Sequence, residues 1–504
     1  MKKIFLALCM VGAMMSSCNM DKTPYGALDD SSAIQSLNDC FRFRNGLYNS
    51  LKGMTTGSNI YTTDLQADEF QATVNYGNRN GIIHAGTFTS AEGTFESYWA
   101  NCYSVITSAN YIIEKMDNLK TTNSYSEDDL ITLERYEAEA KFVRAYCYFL
   151  LAQRFCEPYS KEIGTTEGMG LPLVTKYEPT GDTSKYPGRS TQDDTYKMIA
   201  DDLEDAYTGL SNFEKKDNSN LNPDAYYLST NAVLALQSRI ALYKGENETA
   251  LNKAEEVINS GKYKLAEISE VKKMWKEDKS NEAIFRIHMS NTELGNSTGI
   301  AYLSTELNSA DYIPSYEALS MYDEGDIRFE AYFDIWELVV EGAKIKTYVF
   351  NKYPGNEELK TGSKPNFMNM SMPFRLAELY LIAAEASAST NETKANKYLN
   401  DLRAKRIEGY NSITYSGQAL VDQIRLERQK ELIGEGFRLN DLNRWGLGFS
   451  RGVKHPENPD AENILAVNGK GLSYSSDDYR FVWPIPSAEM ETNPQLKGQQ
   501  NKGY

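Results

Sequence analysis

Residues 229–259, STNAVLALQSRIALYKGENETALNKAEEVIN, carry the pattern that decides the fold. In 229–244, Ala232, Ala235, Leu236, Ile240 and Tyr243 recur at steps that hold them on one helical face. In 249–259, Ala250, Ala254, Val257 and Ile258 do the same, and Gly245-Glu246-Asn247 breaks the chain between them. Two amphipathic helices joined by so short a break form an antiparallel pair. The plan repeats further on, with Leu376, Leu379, Tyr380, Ala383 and Ala384 on one helix and Ala395, Tyr398, Leu399 and Leu402 on the next. Alanines on the contact faces allow the axes to approach closely.

Such pairs resemble tetratricopeptide units, whose repeat is roughly 34 residues, although the full consensus is absent and the pairs are not contiguous. Long helices are also expected near 92–118, 127–155 and 192–210. Ser126 precedes Glu127-Asp128-Asp129, and Ser190-Thr191 precedes Gln192-Asp193-Asp194, which places hydroxyl caps and carboxylates at positive helix ends. Polar segments rich in Gly, Pro and Asn at 55–91, 156–189, 288–318 and 351–372 read as long loops. They carry aromatics rather than low-complexity sequence, which points to function. The expected fold is mainly α: tetratricopeptide-like helix pairs with long loop elaborations and few short strands.

The chain has 504 residues, 41% of them hydrophobic and 24% charged, which suits a globular body and excludes fibrous or wholly disordered classes. Lys+Arg 53 against Asp+Glu 70 gives −17, a charge that repels phosphate backbones, so no nucleic acid partner is expected. The start, MKKIFLALCMVGAMMSS over residues 1–17, has a cationic tip, an apolar run too short to span a bilayer, and small residues, as a signal peptide does. Met15-Ser16-Ser17-Cys18 resembles a bacterial lipobox, so Cys18 is the expected lipidation point and the membrane is met through a lipid anchor only. Cys40, Cys102, Cys147 and Cys156 are widely spaced; an exported chain permits one or two disulfides, while Cys102 and Cys147 sit in helical patterns and equally read as buried small hydrophobes.

Catalytic signatures are weak. Gly448-Phe449-Ser450-Arg451-Gly452 matches a nucleophile elbow, but helix-like sequence precedes it and no histidine follows His455. His84, His288 and His455 are far apart, and no metal frame or phosphate loop occurs, so neither metal nor cofactor is expected. The densest motif is 424–446, IRLERQKELIGEGFRLNDLNRWG. Ile424, Glu427, Arg428, Glu431, Leu432 and Glu435 recur at helical spacing, Gly436 can close the helix, and Arg438, Asp441 and Arg444 follow around a second short helix. Charge alternating with Leu432, Phe437, Leu442 and Trp445 predicts a partly buried ion-pair clamp.

With this motif, the lipobox, Ala67-Asp68-Glu69, Tyr98-Trp99 to Asn110, Ala138 to Tyr146, Gly170 to Val174, Arg375 to Ala386, Trp483-Pro484-Ile485-Pro486 and the terminal Gln500-Asn501-Lys502-Gly503-Tyr504, the chain resembles the SusD/RagB family of Bacteroidota outer-membrane lipoproteins. Lys502 stands where that family commonly has proline. The resemblance implies a leader at 1–17, a SusD-like N-terminal region at 18–225 and a RagB/SusD C-terminal region at 226–504, packed as one body. It also implies a non-catalytic, surface-exposed protein that binds a nutrient, most often a glycan, and delivers it to a SusC-like TonB-dependent outer-membrane transporter. The alternatives are a helical protein-interaction scaffold or a peptide-binding member of the same family.

The ligand residues are nominated by chemistry alone. A sugar presents apolar C–H faces and rim hydroxyls, so its surface needs aromatic planes beside amides and charges. Asp68, Asn75, Tyr76, Arg79 and His84 form one such mixture, and Tyr302, Tyr312 and Trp336 another. Trp99, Trp445 and Trp483 read as core.

Overall fold

Apolar period and side-chain caps set most helix boundaries in the computed structural model, which describes residues 33–504 except 217–223, 298, 300–302, 453 and 455–457. The leader 1–17, Cys18, Tyr302 and His455 lie outside the described residues. The helical body runs through α1 (Leu37–Met54), α2 (Ser58–Gln66), α3 (Gly93–Thr122), α4 (Glu127–Phe155), α5 (Gln192–Lys216), α6 (Thr230–Tyr243) and α7 (Asn247–Asn259). It resumes with α8 (Ile268–Glu277), α9 (Leu376–Ser387), α10 (Glu392–Arg403), α11 (Gly417–Leu432) and α12 (Arg438–Arg444). Ser126 and Asp129 close a reciprocal capping box on α4, and Ser229 accepts from Ala232 N at the start of α6. The pairs α6/α7 and α9/α10 form as their period dictates, and Ser238 Oγ of α6 donates to Ala250 O of α7 at 2.8 Å. Together with α3, α4 and α5 they enclose an apolar core that draws side chains from Ile34 to Leu496. Trp99, Trp275 and Trp483 are all buried.

The segment 55–91 is not one long loop. It holds α2, whose Thr62, Thr63, Asp64 and Gln66 are all buried, so the helix has no apolar stripe to read. The four described cysteines are free and buried, which resolves the disulfide question toward small core residues.

The short strands are β1 (Phe70–Ala72), β2 (Ala283–Phe285), β3 (Tyr312–Pro314), β4 (Phe333–Val340), β5 (Ala343–Phe350), β6 (Phe374–Arg375) and an antiparallel pair, β7 (Phe449–Ser450) and β8 (Ser473–Tyr474). β1 pairs antiparallel with β3, β2 with β6, and β4 with β5 as a hairpin turning at Glu341-Gly342. Glu341 and Gly342 both have positive φ, 50° and 83°, which a tight two-residue turn requires. Chain 464–466 lies along the other edge of β1, with Ala466 N donating to Ala72 O at 2.8 Å. These strands form a platform beside the helices.

The 424–446 motif folds into a buried clamp, with one boundary moved. α11 stops at Leu432 because Gly434 and Gly436 take left-handed φ of 76° and 83°, so Glu435 lies in the turn rather than on the helix. That turn presents Glu435 to Lys352 Nζ at 2.7 Å and to Arg375 Nη2 at 2.7 Å. Glu431 takes Arg375 Nη1 at 2.6 Å, Arg406 Nε at 3.0 Å and Arg328 Nη1 at 3.0 Å, all four side chains being shut from solvent. In α12, Arg444 binds Asp441 at 2.8 Å and both oxygens of Glu385, and Arg428 meets the other oxygen of Asp441 at 2.7 Å. Most of the motif's charges therefore face partners of opposite sign inside the molecule.

Candidate functional site

The platform carries an open concavity, and its sides come from loops far apart in sequence. One side is the turn 76–81, in which Gly77, Asn78 and Asn80 all adopt left-handed φ near 60°. Asn75 ties this turn to β4 by donating from Nδ2 to Val339 O at 2.8 Å. Arg79 is held by a fork on both carboxylate oxygens of Asp311, and Tyr312 Oη donates to the Arg79 carbonyl. A second side is the hairpin 304–309, closed by reciprocal Ser304/Ser309 backbone bonds and fastened to β4 where Val339 N donates to Asn308 O at 2.8 Å. The third is 364–367, ending at Phe367.

Between them lies a groove of about 510 Å³, a size typical of ligand clefts, lined by Arg79, Leu307, Glu306, Lys364, Asn366 and Phe367 among others. Leu307 is 67% exposed at the hairpin tip, whereas Phe367 is largely covered and packs at 6.5 Å, tilted, against Trp336 of β4. Phe367 holds φ at 52°, a left-handed conformation that a bulky side chain rarely adopts. Its ring is thereby turned under the groove.

The expected residues separate into three groups. Arg79 lines the groove. Tyr76 and Trp336 are partly exposed and do not line it but pack on residues next to it or in it: Tyr76 meets Tyr312 edge-on at 6.3 Å and accepts from Asn468 Nδ2 at 3.4 Å, and Trp336 packs on Phe367 and donates from Nε1 to Asp334 at 3.2 Å. Asp68, His84 and Tyr312 are corrected. Asp68 is bound on both oxygens by Arg438 at 2.8 and 2.7 Å, so the clamp motif takes it as a partner. Burial would lift its carboxyl, but the Arg438 guanidinium outweighs this and holds it below the usual range. His84 is sealed beneath β1, its ring 5.2 Å from Tyr312, and burial reinforced by Arg451 drives its imidazole well below its ordinary pKa. Tyr312 is fully covered and acts as a pillar under the 76–81 turn. Asn75 has its amide N–H committed to β4, which leaves it a bracing role.

Sequence reasoning missed Leu307, Lys364, Asn366 and Phe367. They lie in 288–318 and 351–372, which their polar composition marked as functional loops, but no local pattern distinguishes Phe367 from an ordinary loop aromatic. Among the described residues no group of three or more His, Cys, Asp or Glu is placed to hold a metal ion.

A family model described as the SusD family matches residues 339–504, and one described as "Starch-binding associating with outer membrane" matches residues 20–242. The chain is similar to SusD-like protein P38 of Formosa agariphila, at 22% identity, covering 99% of this chain and 98% of that protein. The crystal structure of a SusD superfamily protein from Bacteroides thetaiotaomicron is similar with a TM-score of 0.76 and 28% identity, covering 93% of this chain and 100% of that one. A SusD-like carbohydrate-binding protein from Bacteroides vulgatus shares the fold with a TM-score of 0.72 at 20% identity, covering 93% and 99%.

Proposed function

Because the chain belongs to the SusD/RagB family, we propose that it is a surface-tethered capture protein that binds a nutrient glycan and passes it to a SusC-like TonB-dependent transporter. The observation that carries the glycan reading is the groove between Arg79, Leu307 and Phe367, with the partly exposed rings of Trp336, packed on Phe367, and Tyr76, packed on Tyr312, in its surroundings. Aromatic planes offer a face to sugar C–H bonds, and the amides and hydroxyls beside them suit the rim. The starch-binding family description and the carbohydrate-binding relative from Bacteroides vulgatus support the same ligand class. Binding rather than catalysis agrees with a family of binding proteins and with a densest charged motif that is buried and internally paired. The tether rests on the leader and Cys18, and the family description names association with the outer membrane. No helix among the described residues is long and apolar enough to cross a membrane.

Native-gel retardation in a panel of polysaccharides, with product analysis of each gel, tests the reading. Retardation without breakdown products is expected. Calorimetry on the retained sugar should then show Tyr76→Ala and Trp336→Ala weakened roughly 5- to 150-fold, the loss of about 1–3 kcal/mol of stacking and hydrogen bonding. Unchanged affinity in both folded variants would remove the groove as the site. Purification from native membranes should bring down a TonB-dependent barrel with the chain; soluble partners without a barrel would favour the scaffold alternative.

A further inference from the structure

The groove mixes polar and apolar groups, and its described lining offers no vacant cation. Three charged side chains line it: Arg79, Glu306 and Lys364. Lys364 Nζ lies 2.9 Å from Glu306 Oε2, joining the 304–309 hairpin to the 364–367 turn. Arg79 is 53% exposed, but its fork is closed on Asp311, whose carboxylate is only 1% exposed. The fork uses Nε and Nη2, so a carboxylate or sulfate on an incoming sugar would meet a guanidinium whose charge Asp311 already neutralises, and drawing Arg79 off would strand a covered charge, which is costly. The hydroxyls of Ser304 and Thr305 can bond a sugar hydroxyl with no such exchange, whereas Asn366 already donates from Nδ2 to Leu359 O at 2.9 Å and accepts from Met368 N at 3.3 Å. At longer range the chain's −17 charge repels polyanions before contact.

We infer that the ligand is an uncharged glycan and that the groove discriminates against uronic-acid and sulfated polymers, an inference that rests on the glycan-binding reading above. A neutral chain can lay its C–H faces over Phe367 and Leu307 and its hydroxyls on the hydroxyl rim. The compensated charges then act as hydrogen-bonding rim groups rather than as an anion trap.

The lipidated full chain, run in native gels containing laminarin, starch or galactomannan and in matched gels containing alginate, polygalacturonate or chondroitin sulfate, tests this at low salt and at about 150 mM. Retardation by a neutral polymer that is insensitive to salt, with free migration in the acidic gels, is expected. Retardation in an acidic gel that fades as salt rises, alone or beside a neutral one, would overturn the inference while leaving glycan capture standing. Free migration in every gel would overturn glycan capture itself, and the inference with it. Glu306→Gln supplies a second readout, because it releases Lys364 from its partner. That variant should gain retention by polygalacturonate of up to about 5-fold at low salt, the scale of an exposed ion pair. An unchanged Glu306→Gln in that gel would overturn the argument from compensated charge.

Discussion

Asp64 shows how one buried side chain can set a pH response. It is fully covered, its Oδ2 accepts from Gly436 N at 2.8 Å, and its Oδ1 has no hydrogen-bond partner. Burial pushes its carboxyl up to about 7, against the opposing Gly436 and Arg438 N–H groups, and the same burial with the nearby Asp64 charge lifts Glu69 well above its ordinary range. A folded-state pKa above the unfolded value of 3.8 means that the folded chain holds this proton more tightly. The stability it contributes is complete below about pH 4 and is lost as pH rises through about 7. Asp64→Asn keeps an acceptor for Gly436 and removes the titration, so it should unfold on the order of 1–3 kcal/mol later than the parent at about pH 8 and nearly with it at about pH 4. Urea titrations across that interval decide this; a gap of equal size at both ends would clear Asp64 of the role. Glu385 works in the opposite sense. Burial alone would raise it, but Arg444 and the Trp445 N–H bring it down to about 2, so the α9–α12 contact keeps its charge deep into acid.

Phe367 and the 76–81 turn carry strain on the scale of an element. Both use left-handed backbone outside glycine, which costs roughly 1 kcal/mol per residue, and both border the groove. Phe367→Ala removes the ring but leaves the strained φ, whereas Phe367→Gly removes the ring and relaxes the backbone. Both variants should bind glycan more weakly, roughly 10-fold or more, because the groove loses its apolar wall and Trp336 loses its neighbour. The glycine variant should be the more stable of the two by about 1 kcal/mol in thermal unfolding. If alanine proves equal or better there, the φ of 52° is no source of strain. At this scale the legibility of the sequence was uneven. The pairs α6/α7 and α9/α10 announce themselves through alanine and leucine period, and α4 through its cap. Helix α2 does not, because Thr62, Thr63, Asp64 and Gln66 are buried alongside Tyr61 and Leu65 and bond mostly to backbone groups, so no clean apolar stripe marks its buried face.

Across the whole molecule, one apolar core joins the first described helix to the last turns, and Cys40, Cys102, Cys147 and Cys156 all lie within it. No thiol reagent should reach these four while the fold persists, and all four should label together with loss of helical circular dichroism in rising urea. Early reaction of any one of them would show that a helical layer opens by itself. The sequence determined what periodicity and adjacency encode: helix pairs, caps, and a motif in which Arg and Glu had to meet because neither can be buried alone. It also marked the polar loops as places for function. Only the tertiary structure decided that Arg438 would claim Asp68 from 370 residues away, and that Tyr312 and His84 would be covered. It likewise decided that Arg79, Leu307 and Phe367 would share one groove. Helical period is a property of neighbours along the chain, whereas a groove between loops is set by where the packed core leaves their ends, and that placement is written in no local stretch.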